Sequence, residues 1–353
     1  MDIQEYGEFK LISEITKIVK HSSIIKGIGD DCAVLTISST LKAYAKNKKD
    51  NSDKTNNEFI LVTTDMFVNN NHFNTEWYTP EQIGKKIIEA SISDIAACGG
   101  SPLYATIAMS LPKTTDVDWI KKVYLGVYNT AEKHSLLIVG GDSTSGKEIS
   151  FSVTIIGKVH DKELCLRGHA QVNDLILISG TVGKSMAGLQ VFFKEKELKN
   201  KKKNEYIINK NNNYIINCKE AHLNPRCRLD VSTQIAKYVH AMIDISDGVS
   251  SEIKHICNES NVGAAIEKEK IPLNNETKKT AEMLGQDPYD WALYGGEDFE
   301  LLFTISQNTY NEYEELFKDC SVIGKILKPE LGCYMIDKQG NKTILGKGYD
   351  NYK

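Results

Sequence analysis

Residues 59–111 read FILVTTDMFVNNNHFNTEWYTPEQIGKKIIEASISDIAACGGSPLYATIAMSL, and three segments within them set the architecture. Phe59 to Thr64 is an apolar, β-branched run that predicts a strand, Pro80 to Cys98 predicts a helix, and Tyr104 to Leu111 predicts a second strand. The helix start is well marked. Thr79 is a candidate N-cap, Pro80 takes the first helical position, where a missing N–H costs nothing, and Gln82 can close a capping box. Ile83, Ile87 and Ala90 follow at spacings of four and three, and the next position on that stripe is Asp94. A lone charge on an apolar face is costly, so Asp94 must be protonated, paired with a base or coordinating a cation.

Outward from this core the alternation continues. A helix is predicted from about Val117 to Lys133, with strands at Leu136 to Val139 and Ile149 to Val159. In the last of these, Ile149, Phe151, Val153 and Ile155 alternate with polar or small residues, as in a half-buried strand. A second unit starts with a strand at Asp174 to Ser179, followed by a helix at Lys184 to Phe193, a strand at Met242 to Ile245 and a helix from Val249. The expectation is an α/β or α+β chain of two domains, residues 1–160 and 161–353. The Lys/Asn-rich stretch from Lys194 to Lys219 reads as a mobile surface insertion, and Lys46 to Asn57 as a shorter one.

With 353 residues, 41% of them apolar, the chain has material for two cores. Its 43 basic and 47 acidic residues are interspersed and give a net charge of −4, which argues against a nucleic-acid or membrane-surface partner. The N-terminus lacks the basic and apolar regions of a secretory signal, and no run suits a membrane span, so a cytoplasmic location is expected. The eight cysteines include no CxxC pair and no His-rich neighbourhood; they read as reduced, buried thiols without zinc or disulfide roles.

The acids are less evenly placed. Asp30 and Asp31 lie in GIGDDCAV, Asp65 closes ILVTTD, Asp142 follows LLIVGG, Asp244 and Asp247 lie in MIDISDG, and Glu297 and Asp298 in YGGEDFELLF. Any one could be an N-cap or turn residue. Five clusters at expected strand ends, most beside glycine, point instead to a polar ligand approached closely by backbone and carboxylates, with shared Mg²⁺ ions as the economical reading. A P-loop is rejected: Gly183, Lys184 and Ser185 follow a strand, but the pattern needs glycine where Ile178 stands. The amides of that helix start are left as a possible phosphate contact. His72, by residue type alone, reads as a structural loop histidine.

Taken in order, GEFKLI, GIGDDCAV, TTDMFVNNNHF, SDIAACGGSP, GGDSTSG, DISDGVSSEI and GGEDFELLF resemble the thiamine monophosphate kinase family over nearly the whole chain. That family belongs to the aminoimidazole ribonucleotide synthetase-like superfamily, which uses ATP without a P-loop. The resemblance implies two α/β domains, a homodimer formed through the N-terminal sheets, and Mg²⁺-dependent transfer of the ATP γ-phosphate to thiamine monophosphate. It implies metal binding by Asp31, Thr63, Thr64, Asp65, Asp94, Asp142, Asp244 and Asp247, with Asp65, Asp142 and Asp244 central to catalysis. It further implies nucleotide contacts from Tyr124, Gly141, Asp142, Arg167 and Ser246, and thiamine phosphate contacts from His72, Glu297 and Tyr349.

Other readings are a sister enzyme or a nucleotide and metal sensor without turnover. Selenophosphate synthetase would place a reactive Cys or selenocysteine near the N-terminus, and no Cys precedes Cys32. A hydrogenase maturation factor would be expected to end in a reactive cysteine, where this sequence ends GYDNYK.

Overall fold

Both strands that flank the decisive helix form, and both are longer than the apolar runs that announced them. The computed structural model describes residues 23–36, 58–200 and 212–346. The first domain contains β1 (Ile24–Lys26), β2 (Ala33–Thr36), β3 (Glu58–Val68), α1 (Pro80–Ala97), β4 (Ser101–Leu111), α2 (Val117–Lys133), β5 (Leu137–Ser145) and β6 (Ser150–His160). Its sheet runs β1-β2-β3-β6-β4-β5, antiparallel throughout except for the β4–β5 pair. Phe151, Val153 and Ile155 of β6 turn toward α1, as their alternation required, and join Ile83, Ile87 and Ile92 in one core.

The capping box at the start of α1 is formed: Gln82 N–H donates to Thr79 Oγ1 at 3.2 Å, and Thr79 N–H donates to Gln82 Oε1 at 2.9 Å. The helix is not the one-sided amphipath that its stripe suggested. Lys86, Glu89, Ser91 and Ser93 are buried along with the isoleucines, because the sheet, α2 and the second domain enclose it from different sides.

The second domain contains β7 (Leu175–Ile178), α3 (Lys184–Asn200), α4 (Asn213–Leu223), α5 (Leu229–Ile235), β8 (Ala241–Asp244), α6 (Val249–Ser260) and β9 (Gly263–Glu267). It continues with α7 (Asn275–Leu284), α8 (Pro288–Tyr294), β10 (Leu301–Ile305), α9 (Gln307–Glu312), β11 (Ser321–Leu327), β12 (Cys333–Ile336) and β13 (Lys342–Ile344). Its sheet runs β13-β12-β9-β11-β7-β10-β8, with β9–β12 the parallel pair.

Two expectations change. Asp65 and Asp142 do not end strands: β3 runs on to Val68 and β5 passes through Gly140, Gly141 and Asp142 to Ser145, so Asp244 alone of these three closes a strand. The sheets are mainly antiparallel, and the acids are gathered by the meeting of two domains rather than by the edge of a parallel sheet. The Lys/Asn-rich stretch is also more ordered than its composition implied. α3 extends to Asn200 and α4 begins at Asn213, and Lys219 of α4 pairs with Glu195 of α3 at 2.9 Å. Lys and Glu are good helix formers and bridge readily along and between helices. The part from 201 to 211, and Lys46 to Asn57, lie outside the described residues.

Candidate active site

Alternation along β3 aims Thr63 and Asp65 at α1 and leaves Thr64 and Met66 on the opposite, exposed face. Thr63 Oγ1 donates to Asp94 Oδ2 from the last turns of α1. Ser93 Oγ donates to Asp244 Oδ2 at 2.7 Å, docking the end of β8 against the same helix. Asp31, Asp94 and Asp244 each present a carboxylate oxygen within 4.8 Å of the others. Asp65 Oδ2 is buried without a hydrogen-bond partner.

Such crowding shifts the acids. Burial, then the charges of Asp65, Asp244 and Asp31, hold Asp94 well above the usual carboxylate range. Burial, then Asp31, pushes Asp244 up to about 8, and burial raises Asp65. Arg167 answers one of them, donating from Nε to Asp31 Oδ2 at 3.2 Å and from Nη2 to Asp31 Oδ1 at 2.5 Å. Its backbone N–H donates to Asp30 Oδ2 at 3.2 Å; burial and then Asp31 lift Asp30 to about 6. One guanidinium does not neutralise this set. The donors are all oxygen and one is orphaned, so the residues fit a hard divalent cation such as Mg²⁺.

These acids open into a cavity of about 1080 Å³ lined by Asp65, Asp94, Asp244 and Asp247, and also by His72, Glu297, Trp77 and Phe193. Two glycines let its walls close up. Gly248 starts α6 at φ 105°, and a side chain on Gly296 would collide with Ser246 O, which instead accepts from Glu297 N–H at 2.9 Å. Ser246 and Asp247 are held by their backbone N–H groups, both donating to Glu252 Oε1 at 3.0 and 2.8 Å. His72 Nδ1 accepts from Val68 N–H at 3.0 Å, which fixes the ring beside the cavity.

Glu297 adopts the left-handed conformation, φ 62°, and its carboxylate meets Lys86 Nζ at 2.6 Å and His222 Nδ1 at 3.3 Å. Burial acts to raise its pKa, but Lys86 and His222 outweigh it and hold the group below the usual range. His222 in turn reaches Ser185 Oγ at 3.1 Å, and Lys86 Nζ donates to the Tyr78 hydroxyl at 3.1 Å. Lys86, His222 and Glu252 were not singled out in the sequence. The one available signal was a lysine facing inward two turns ahead of Asp94.

Other expectations fare differently. The amides left open at the start of α3 are taken: Gly183 N–H donates to Asp298 Oδ2 at 2.6 Å and Ser185 N–H to Asp298 Oδ1 at 3.3 Å. No phosphate can use those donors without displacing Asp298. Arg167, expected at phosphate, is bound to Asp31. Thr64 borders the cavity and shares a 3.0 Å hydrogen bond with Thr154. Tyr124, packed beside Tyr128 on α2, and Gly141 and Asp142 on the edge strand β5 are not brought to this cavity. The register runs from Met66 through Ser152 and Ala108 to Asp142, three strand spacings or roughly 14 Å along the outer face. Tyr349 lies outside the described residues.

The two-domain frame with its carboxylate-lined cleft is that of the AIR synthase related proteins. The sequence matches that family's N-terminal domain over residues 29–159 and its C-terminal domain over residues 171–333. The thiamine-monophosphate kinase of Aquifex aeolicus is 34% identical over 352 residues, covering all of both chains. That of Bacillus subtilis is 30% identical, with 98% of this chain and 99% of the relative covered. A solved structure described as "AaThiL complexed with AMPPCP and TMP" superposes with a TM-score of 0.81 at 32% identity, covering 99% of this chain and 98% of that one. The chain belongs to the thiamine-monophosphate kinase family within the AIR synthase related proteins.

Proposed function

We propose that the chain transfers the γ-phosphoryl group of ATP to the phosphate of thiamine monophosphate, giving thiamine diphosphate and ADP. The observation that carries this reading is one cavity lined both by Asp65, Asp94 and Asp244 and by His72, Glu297 and aromatic side chains. Anionic phosphates and a flat cationic ring system need those two kinds of wall together.

Asp31, Asp65, Asp94, Asp244 and Asp247, with Thr63, would hold Mg²⁺, whereas Thr64 faces the other side of β3; the orphaned Asp65 Oδ2 and the raised carboxylates support this. The ions supply charge neutralisation for the gathered phosphate oxygens. His72 and Glu297 orient thiamine monophosphate, Glu297 as an anion beside the thiazolium charge. Ser246 would serve the nucleotide, and Arg167, bound to Asp31 here, would offer its guanidinium to phosphate oxygens. The attacking phosphate is largely ionised near neutral pH, its second pKa being about 6, so no side chain need act as base. Catalysis rests on holding two anions in line.

Asp142, Gly141 and Tyr124 belong in this scheme to a homodimer. The outer face of the first sheet exposes Met66, Tyr104, Leu137, Val139 and Ile156, an apolar surface suited to a second copy. Paired there, Asp142 of one copy would serve the site of the other. No described helix is long and apolar enough to cross a membrane.

Purified protein incubated with ATP, Mg²⁺ and thiamine monophosphate should form thiamine diphosphate, and EDTA should stop it. Absence of product alongside Mg²⁺-dependent ATP binding would refute kinase activity and leave the cleft as a nucleotide site.

A further inference from the structure

Outside the lining of the cleft, three side chains distant in sequence converge. Glu89 lies in the middle of α1, His134 is the C-cap of α2, and Cys227 lies in the connection between α4 and α5. Glu89 Oε2 is 3.3 Å from His134 Nε2, Cys227 Sγ is 4.0 Å from the same nitrogen, and the three ligand atoms all lie within 4.8 Å of one another. A tetrahedral zinc ion with ordinary bond lengths sets its N···O and N···S edges at about 3.4 and 3.6 Å. The two observed spacings to His134 need shifts of a few tenths of an ångström.

We propose that Glu89, His134 and Cys227 form a metal site of the zinc class, with three protein ligands and a fourth position open. The chemistry separates it from the cleft: thiol, imidazole and carboxylate together favour a borderline transition metal, whereas the all-oxygen cluster favours Mg²⁺. Glu89 Oε2 accepts from Cys227 N–H at 3.0 Å, which holds the carboxylate beside the cysteine without the ion, and the His134 backbone N–H donates to Ala131 O at the end of α2. Glu89 and Cys227 are 4% and 1% exposed, while the His134 side chain keeps 15%, which leaves an entry path. A bound ion would clamp α1 and α2 to the segment carrying Arg228, whose Nη1 meets Glu300 at 2.6 Å in the second domain.

The test is titration of the full-length protein with Co²⁺ as a spectroscopic probe, in excess Mg²⁺ so that the oxygen cluster is masked. One equivalent should produce thiolate-to-metal charge transfer and tetrahedral d–d bands, and Zn²⁺ should bleach both. Cys227→Ser should abolish the charge-transfer band and His134→Gln should weaken Co²⁺ binding by at least about tenfold, with circular dichroism unchanged. No thiolate band in the unaltered protein, or a band that survives Cys227→Ser, would overturn the site.

Discussion

Lys86 Nζ stands 2.6 Å from Glu297 Oε1, joining the first domain's central helix to the second domain's cleft loop through a lysine only 1% exposed. The pair is asymmetric, because the Glu297 side chain keeps 28% of its exposure toward the cavity. Glu297→Gln strands a charge in a dry pocket and is expected to cost about 3–5 kcal/mol, whereas Lys86→Met leaves a carboxylate that water can reach and should cost less than half as much. Urea denaturation of both variants decides it; equal losses would contradict this division of burial. Lys86→Met should also raise KM for thiamine monophosphate more than KM for ATP.

Asp65→Asn should cut turnover by at least about 10²-fold, since a neutral amide cannot hold Mg²⁺ as a carboxylate does. The metal-free variant should be as stable as the parent or more so, because a carboxylate whose pKa is raised by burial is replaced by a neutral group. Steady-state rates and thermal melts in EDTA check the two halves; a folded variant with full activity would remove Asp65 from the metal site.

The metal-free protein should lose stability as pH rises from about 4 to 8. Asp30, Asp298 and Asp244 have folded pKa values raised to about 6, 7 and 8 from 3.8, with burial the main cause in each case. A carboxyl raised on folding contributes stability that is full below its unfolded pKa and is lost as pH climbs through the folded value, by of order 1 kcal/mol per pH unit per group. His222 works in the opposite sense: burial and then Lys86 lower it from 6.5 to about 4, so its contribution is full above 6.5 and is lost as pH falls toward 4. Millimolar Mg²⁺ should flatten the alkaline loss. Denaturation midpoints at several pH values, with and without Mg²⁺, test this; a metal-free protein more stable at pH 8 than at pH 6 would contradict it.

Asp142 and Asp94 should complement each other across subunits. If Asp142 serves the partner's site, Asp142→Asn and Asp94→Asn homodimers are both inactive, yet statistical mixing through unfolding and refolding should restore about a quarter of parental activity. Each heterodimer would then contain one intact site and one doubly damaged site. No recovery on mixing would place Asp142 within its own subunit's site or outside the site altogether.

Much of this protein is legible in its sequence. The capping box at Thr79 and Gln82, the alternation of Phe151, Val153 and Ile155, and the turn of Asp94 toward Thr63 of the sheet are consequences of local geometry, and the structure has all three. The ordered motifs were enough to place the chain in its family. Local pattern misjudged whatever depends on distant neighbours. It stopped β5 at its apolar residues, although sheet pairing carries the strand through Asp142, and it left the start of α3 free, although Asp298 fills it.

The cysteines teach the same lesson, since Cys227 has no ligand partner near it in sequence and finds Glu89 and His134 only when α1, α2 and the α4–α5 connection pack together. Sequence alone determined where the central helix α1 and its flanking strands form and which acids are available. Only the tertiary structure decided which acids share a cluster, which lysine neutralises Glu297 and on which face of the sheet Asp142 lies. Backbone propensity and side-chain period act over a few residues, whereas the electrostatics of a site depend on distances that docking of the two domains alone fixes.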